Sequence, residues 1–345
     1  MKAIQVRATG GPEVLELREL PDPVPLAGEA RIRVHASGVN FIDVYYREGR
    51  YKAPLPLIPG LEGAGHVEAL GEDVSEFAIG DAVVWFGLLG SYAEKTAVPA
   101  HRLLKVPPGM SLDISVALMA QGLMAYGLSH ITFALRPGHT CVVHAAAGGV
   151  GLLLTQMAKN AGAKVIATVS TAQKAELARN AGADEVILYT QTDFYEAVMT
   201  IANRQGVEVV FDGVGKSTFE QSLKCLRRRG LLALYGAASG PVPLFDLGRL
   251  AQMGSLYITR PNNLDYVGTR EELTSVAGCV FSMFTSGHLN APISRVYPLE
   301  DASQSHRDLE SRKTTGKLLL STGAEDVGES QSHDPLIIFG AVEGP

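Results

Sequence analysis

Cysteine is scarce in this chain of 345 residues: Cys141, Cys225 and Cys279 stand far apart and are odd in number. They form neither a disulfide framework nor a zinc knuckle, and they suit a reducing, cytoplasmic setting. An excess of one charge is also missing. Thirty Lys and Arg face 36 Asp and Glu, and five of those acids (Glu325, Asp326, Glu329, Asp334, Glu343) lie in the last 25 residues, which hold no Lys or Arg. The rest of the chain is nearly neutral, so nothing suggests a nucleic-acid partner. No apolar run approaches the roughly 20 residues that cross a bilayer, so no membrane partner is expected. The N-terminal MKAIQVRATGG has no apolar signal core, which argues against export. What remains, 46% hydrophobic and 19% charged, reads as a globular chain long enough for two domains.

The first 120 residues are rich in β-branched residues and punctuated by Gly and Pro. The segments 30–40, 63–71, 80–86 and 91–99 read as short strands of a partly open β-barrel. From Ser111, SLDISVALMAQGLMAYGLSH reads as helix. Strands expected at 140–145, 164–169, 185–188, 207–212 and 231–236 then alternate with helices at 150–161, 172–181, 193–205 and 217–228, and SLYITRP (255–261) adds a further strand. Alternation in units of this size makes a doubly wound parallel sheet. Arg227, Arg228 and Arg229 are read as the end of a helix before Gly230, where cations suit the negative dipole end. A helix from about 270, the strand ISRVYPL, the helix DASQSHRDLESR and the strand KLLLS return the chain to the first domain. The expected domains are 1–122 with 265–320, then 123–264, with an atypical acidic and apolar tail at 321–345. Its LIIF run is a candidate for docking on the body or on a partner subunit.

The stretch Cys141-Val-Val-His-Ala-Ala-Ala-Gly-Gly-Val-Gly151 carries the most chemistry. An apolar strand enters a turn in which Ala146, Gly148 and Gly151 occupy the three small-residue positions of a dinucleotide fingerprint. They allow a tight turn, close approach to a pyrophosphate and close helix packing. The helix that follows offers free N–H groups and its positive dipole end to the phosphates. An acid at the end of the second strand would select NAD. After Val169 stand Ser170, Thr171, Ala172, Gln173 and Lys174 instead. Hydroxyls and an ammonium suit a 2′-phosphate, so the expected cofactor is NADPH. Thr171 also reads as a helix N-cap.

The motifs GGPEVLELRELPDP (10–23), SGVNFIDVYYREGRY (37–51), LPLIPGLEGAGHVEALGEDV (55–74), HAAAGGVG (144–151), TAQKAELARNAGADEVI (171–187) and YPLEDASQSHRDLESRKTTGKLLL (297–320) follow one another as in a known family. In their order and spacing the chain resembles the zinc-free quinone oxidoreductase (zeta-crystallin-like) branch of the medium-chain dehydrogenase/reductase superfamily, from about Lys2 to Leu320. The resemblance implies a Rossmann domain beside a GroES-like barrel, and a homodimer formed along the SLYITRP edge. Zinc-dependent members have Cys where Asn40 stands and His where Leu61 stands, so no metal is expected. His66 reads as a structural histidine. The resemblance also implies an acceptor pocket of Asn40, Asp43, Tyr45 and Tyr51. For the cofactor it implies Tyr126, Gly148, Gly149 and Val150, then Ser170, Thr171, Lys174 and Tyr189, then Gly236, Ala237, Thr259 and Arg312. Met124 departs from the branch, which has Thr there. Three functions remain open: an NADPH-dependent quinone reductase, an enone or 2-alkenal reductase, and a non-catalytic NADPH-binding or RNA-binding crystallin-like protein.

Overall fold

The computed structural model of the chain describes residues 1–324. The tail with its LIIF run, read as an extension or as a docking segment, lies outside the described residues beyond Ala324. Two compact units divide the chain: Met1–Ala120 with Thr269–Thr274 and the residues from Ala291 onward, and Gln121–Gly268 with Ser275–Asn290.

The first unit is a GroES-like, partly open barrel. Its seven-stranded sheet runs in the order Ile293–Pro298, Lys317–Ser321, Glu29–Val39, Glu62–Leu70, Ala82–Phe86, Leu103–Lys105, with Lys95–Pro99 also paired to Glu29–Val39. From Glu29 to His35 that long strand alternates partly exposed and buried residues, as a strand with one face on a core does, and from Ala36 to Val39 it is buried on both faces. Ile32 and Val34 meet Val67, Val83, Trp85 and Leu103 in one cluster. Val39 joins Ile4, Tyr92, Tyr297, Leu318 and Leu320 in another. The helix Phe41–Arg47 was not expected, because FIDVYYR is aromatic and β-branched. Asp43 supports its start by accepting from the Asn40 N–H at 2.8 Å.

The second unit is a Rossmann sheet of six strands, ordered Glu185–Leu188, Lys164–Val169, Thr140–His144, Val207–Asp212, Leu226–Leu234, Tyr257–Thr259. All pair in parallel. The order reverses beside Thr140–His144, and ligands of open α/β sheets bind at such a switch point, beyond the carboxyl ends of the strands.

Two expectations need correcting. The arginine run does not end a helix. The helix Phe219–Lys224 stops before Cys225, and Arg227, Arg228 and Arg229 belong to the strand Leu226–Leu234. Its register to Val207–Asp212 slips between Val207↔Leu226 and Val209↔Leu231, so the arginines lie in an irregularity, with Arg229 at φ 59°. Arg227 Nε meets Glu208 at 2.9 Å. Nor is the chain without a long apolar helical stretch. Leu112–Thr132 has the length and composition to cross a membrane, and 67% of its most apolar window is buried inside the protein, as in a core helix. It bends at Met119, between the helices Leu112–Leu118 and Ala120–Tyr126.

Gly65 faces Val34 on one neighbouring strand and Val83 on the other. A Cβ there would lie 2.0 Å from the Arg33 carbonyl oxygen, and backbone cannot move aside cheaply. Gly65→Ala is expected to cost about 1–3 kcal/mol of stability through overpacking. Thermal unfolding checks this; an unchanged midpoint would contradict it.

Candidate active site

In the second unit the strand Thr140–His144 delivers the chain to a tight turn. Ala145 takes φ 51°, and the Gly148 N–H closes back on the Ala145 carbonyl at 2.9 Å. The helix Gly149–Asn160 begins there with no side-chain cap at Gly148, so its first N–H groups are left to an anion. Gly151 is obligatory: a Cβ would fall 2.4 Å from the Ala145 carbonyl oxygen. Gly148, Gly149 and Val150 thus form a cradle that could hold a pyrophosphate.

At the end of the next strand Thr171 caps the helix Ala172–Asn180, its hydroxyl accepting from the Lys174 N–H at 3.2 Å. Ser170 is partly exposed, and its carbonyl accepts from the Thr190 hydroxyl at 3.0 Å. Burial lowers the pKa of the Lys174 ammonium, which an incoming phosphate would reverse. Tyr189, Gly236, Ala237 and Thr259 follow at or beyond the carboxyl ends of later strands. At Gly236 two backbone segments come so close that a Cβ would meet the Gly213 carbonyl at 2.3 Å. Tyr126 stacks on His130, rings 4.2 Å apart and nearly parallel, and a hydrogen bond with Cys279, then burial, push its hydroxyl up to about 12.

Sequence reasoning missed what stiffens this turn. His144 is buried between the Thr168 hydroxyl at 2.7 Å and the Ser222 hydroxyl at 3.0 Å. Ser222 and Thr218 donate to Asp212 Oδ2, while the Val214 and Gly215 N–H groups donate to Oδ1. Burial holds His144 below its ordinary pKa, so it is neutral. The polar residues closing the strands Thr140–His144 and Val207–Asp212 are the signal that could have found them.

In the first unit Asn40 ends the strand Glu29–Val39. Its Nδ2 donates to Glu62 Oε1 at 2.7 Å and its Oδ1 accepts from Lys317 Nζ at 3.0 Å. Lys317 and Glu62 form an ion pair, 1% and 0% exposed, and Glu62 Oε2 also accepts from the Ala120 N–H at 2.6 Å. Neither charged residue was singled out from the sequence. A glutamate within GLEGAG and a lysine heading LLL were the available signals of buried charge. Leu61 has no lone pair, and the one ligating atom of Asn40 is already accepting from Lys317. Among the described residues no group of three His, Cys, Asp or Glu gathers for a metal. A catalytic zinc needs three protein ligands, and these positions do not fit one.

The four expected acceptor residues divide in two. Tyr45 and Tyr51 meet edge to face at 5.5 Å, with Arg50 over the Tyr45 ring at 5.2 Å. Phe41 and Tyr46 extend this aromatic group and were not foreseen. Asp43 is instead wholly buried beneath Asn40. A chain of hydrogen bonds runs to it from the surface: Arg47 binds Glu310 at 2.8 and 3.0 Å, then His306 Nδ1 at 3.2 Å; His306 Nε2 meets the Tyr92 hydroxyl at 3.2 Å, which meets Asp43 Oδ2 at 3.3 Å. Arginine only donates, so His306 Nδ1 accepts, its Nε2–H donates to Tyr92, and Tyr92 donates to Asp43. Burial and then Arg47 push His306 down to about 3, which keeps it neutral. Asp43 Oδ1 has no hydrogen-bond partner. His66 is buried in its strand, as a structural histidine should be. Arg312 follows the helix Ala302–Glu310 in the first unit, at φ 59°.

A family model described as alcohol dehydrogenase GroES-like domain matches residues 26–108, and one described as zinc-binding dehydrogenase matches 149–272. The chain is 44% identical over 321 residues to a quinone oxidoreductase of Pseudomonas aeruginosa, covering 92% of this chain and 99% of that protein. It is 38% identical over 327 residues to a 2-haloacrylate reductase of a Burkholderia species, covering 92% and 98%. The crystal structure of Escherichia coli quinone oxidoreductase complexed with NADPH superposes with a TM-score of 0.91 at 42% identity, over 93% of this chain and 100% of that one.

Burial, opposed by the Asn40 N–H bond, raises the Asp43 carboxyl from 3.8 to about 7. A carboxyl raised in the folded state binds protons the unfolded chain has released. Its stabilising contribution is complete below pH 3.8 and is lost as pH rises through about 7. Asp43→Asn, which keeps an acceptor for Asn40 and Tyr92, should flatten the fall in unfolding temperature between about pH 4 and 7. Parallel profiles for the two proteins would refute this.

Proposed function

Because the chain belongs to the zinc-free quinone oxidoreductase branch of the medium-chain dehydrogenase/reductase superfamily, we infer that it is an NADPH-dependent quinone reductase that works without a metal. The observation that carries the reading is the uncapped turn at the switch point together with Ser170, Thr171 and Lys174 after the second strand, where no carboxylate stands to repel a 2′-phosphate.

NADPH, when bound, supplies the hydride. The backbone of Gly148, Gly149 and Val150 would hold the pyrophosphate against the helix dipole. Ser170, Thr171 and Lys174 would hold the 2′-phosphate, with Tyr189 at the adenosine end. Tyr126, Gly236, Ala237 and Thr259 would complete the set within the Rossmann unit, and the family resemblance adds Arg312. The Tyr45 and Tyr51 rings give a flat, conjugated acceptor an aromatic wall, and Asn40 offers it an amide. Quinones suit such a site because their conjugation spreads the arriving charge, so no Lewis acid is required. A second reading, hydride addition to an activated carbon–carbon double bond, draws on the likeness to the Burkholderia 2-haloacrylate reductase. The protein acts in the cytoplasm, a setting that suits three free thiols. It works as a homodimer: Tyr257–Thr259 is an edge strand, and Tyr257 is 59% exposed.

Quinone reduction should be faster with NADPH than with NADH, and Lys174→Ala should raise KM for NADPH roughly 10–100-fold, the worth of one charge-assisted hydrogen bond, while leaving NADH nearly unchanged. Equal losses for both cofactors would refute the 2′-phosphate assignment. With deuterium from NADPH, label retained on product carbon identifies the alkene route. Tight NADPH binding with no turnover of any quinone or enone would favour the non-catalytic role. Sedimentation should show a dimer at micromolar concentration, and a monomer would refute it.

A further inference from the structure

The two ends of the Asn40 amide are identified by their partners. An ammonium cannot accept a hydrogen bond, so the atom 3.0 Å from Lys317 Nζ is Oδ1. The ion-paired Glu62 carboxylate cannot donate one, so the atom 2.7 Å from Glu62 Oε1 is Nδ2. Oδ1 is therefore occupied and one Nδ2 hydrogen is spent. The second has no acceptor among the described residues, on a side chain that is partly exposed. Either end could face outward if the amide rotated. Lys317 and Glu62 forbid the rotation, since it would set oxygen against carboxylate and N–H against ammonium. Both are fixed: Glu62 is held by the Ala120 N–H, and Gly38 leaves the room, since a Cβ there would lie 2.0 Å from Glu62 Oε1.

We propose that Lys317 and Glu62 are positioning residues, which lock the Asn40 amide so that its spare N–H is the electrophile of the acceptor site. The proposal rests on the reading above, that the acceptor lies against Asn40. As the acceptor gains the hydride, an electron pair moves onto its oxygen. The Asn40 N–H hydrogen-bonds that oxygen and keeps its proton, and the product oxygen takes its proton from solvent. Lys317, bonded to Oδ1, draws density from the amide and strengthens the N–H as a donor. A preorganised donor of this kind contributes most where charge develops.

The test compares wild type, Asn40→Ala, Lys317→Arg and the double variant Glu62→Gln/Lys317→Met, which removes both charges together and so strands neither. With a series of quinones whose hydroquinones differ in acidity, the double variant and Asn40→Ala should lose about 10–100-fold in kcat, the worth of one hydrogen bond to a charged oxygen, with KM for quinone and NADPH affinity within about threefold. The loss should widen as the hydroquinone becomes less acidic, because the oxygen then carries more charge; a merely structural role would give a uniform loss. Lys317→Arg should recover most of kcat. Wild-type turnover with quinones tests the reading itself. If wild type turns over and the double variant matches it, or its loss is the same for every quinone, the proposal is overturned while the reading stands.

Discussion

A lysine and a glutamate without access to water organise the first unit. Lys317 opens the strand Lys317–Ser321 and Glu62 opens Glu62–Leu70, and these strands lie on either side of Glu29–Val39. The ion pair reaches across the end of that central strand, passing over Gly38. Burying both charges costs several kcal/mol each, and Asn40 and the Ala120 N–H offset part of that. Replacing the pair with apolar groups would leave a comparable or greater stability. What the pair visibly does is tie the ends of three neighbouring strands together through Asn40 and the Ala120 N–H.

The two units answer the demand for polar contacts differently. In the second, the candidate ligand site is mostly backbone: uncapped N–H groups, a tight glycine turn and strand ends. Its side chains, His144, Thr168, Ser222 and Asp212, work beneath the turn and brace it. In the first unit the backbone is spent on the barrel, so the polar contacts of the candidate site fall to side chains, and these need support from residues distant in sequence. Glu62 and Lys317 are 255 positions apart.

That contrast explains what the sequence disclosed. The Rossmann unit was legible because its strands and helices are local and periodic, and its fingerprint lies within one short segment. The arginine run misled because three cations before a glycine suit a helix end as well as they suit an irregular strand. The helix Phe41–Arg47 escaped notice because its residues favour strands, and the Asp43 bond to Asn40 overrides them. Asn40, Tyr45 and Tyr51 were reached by resemblance. The pairing of Glu62 with Lys317 was not, since no local pattern pairs a charge in one strand with a charge in another.

The hydrogen-bonded chain from Glu310 to Asp43 has a terminus that changes its meaning. Its outer link is Arg47, whose guanidinium donates hydrogen bonds and accepts none. The chain therefore transmits polarity and does not conduct. A proton on Asp43 leaves by this route only when the interior opens, so its exchange with water follows the breathing of the barrel.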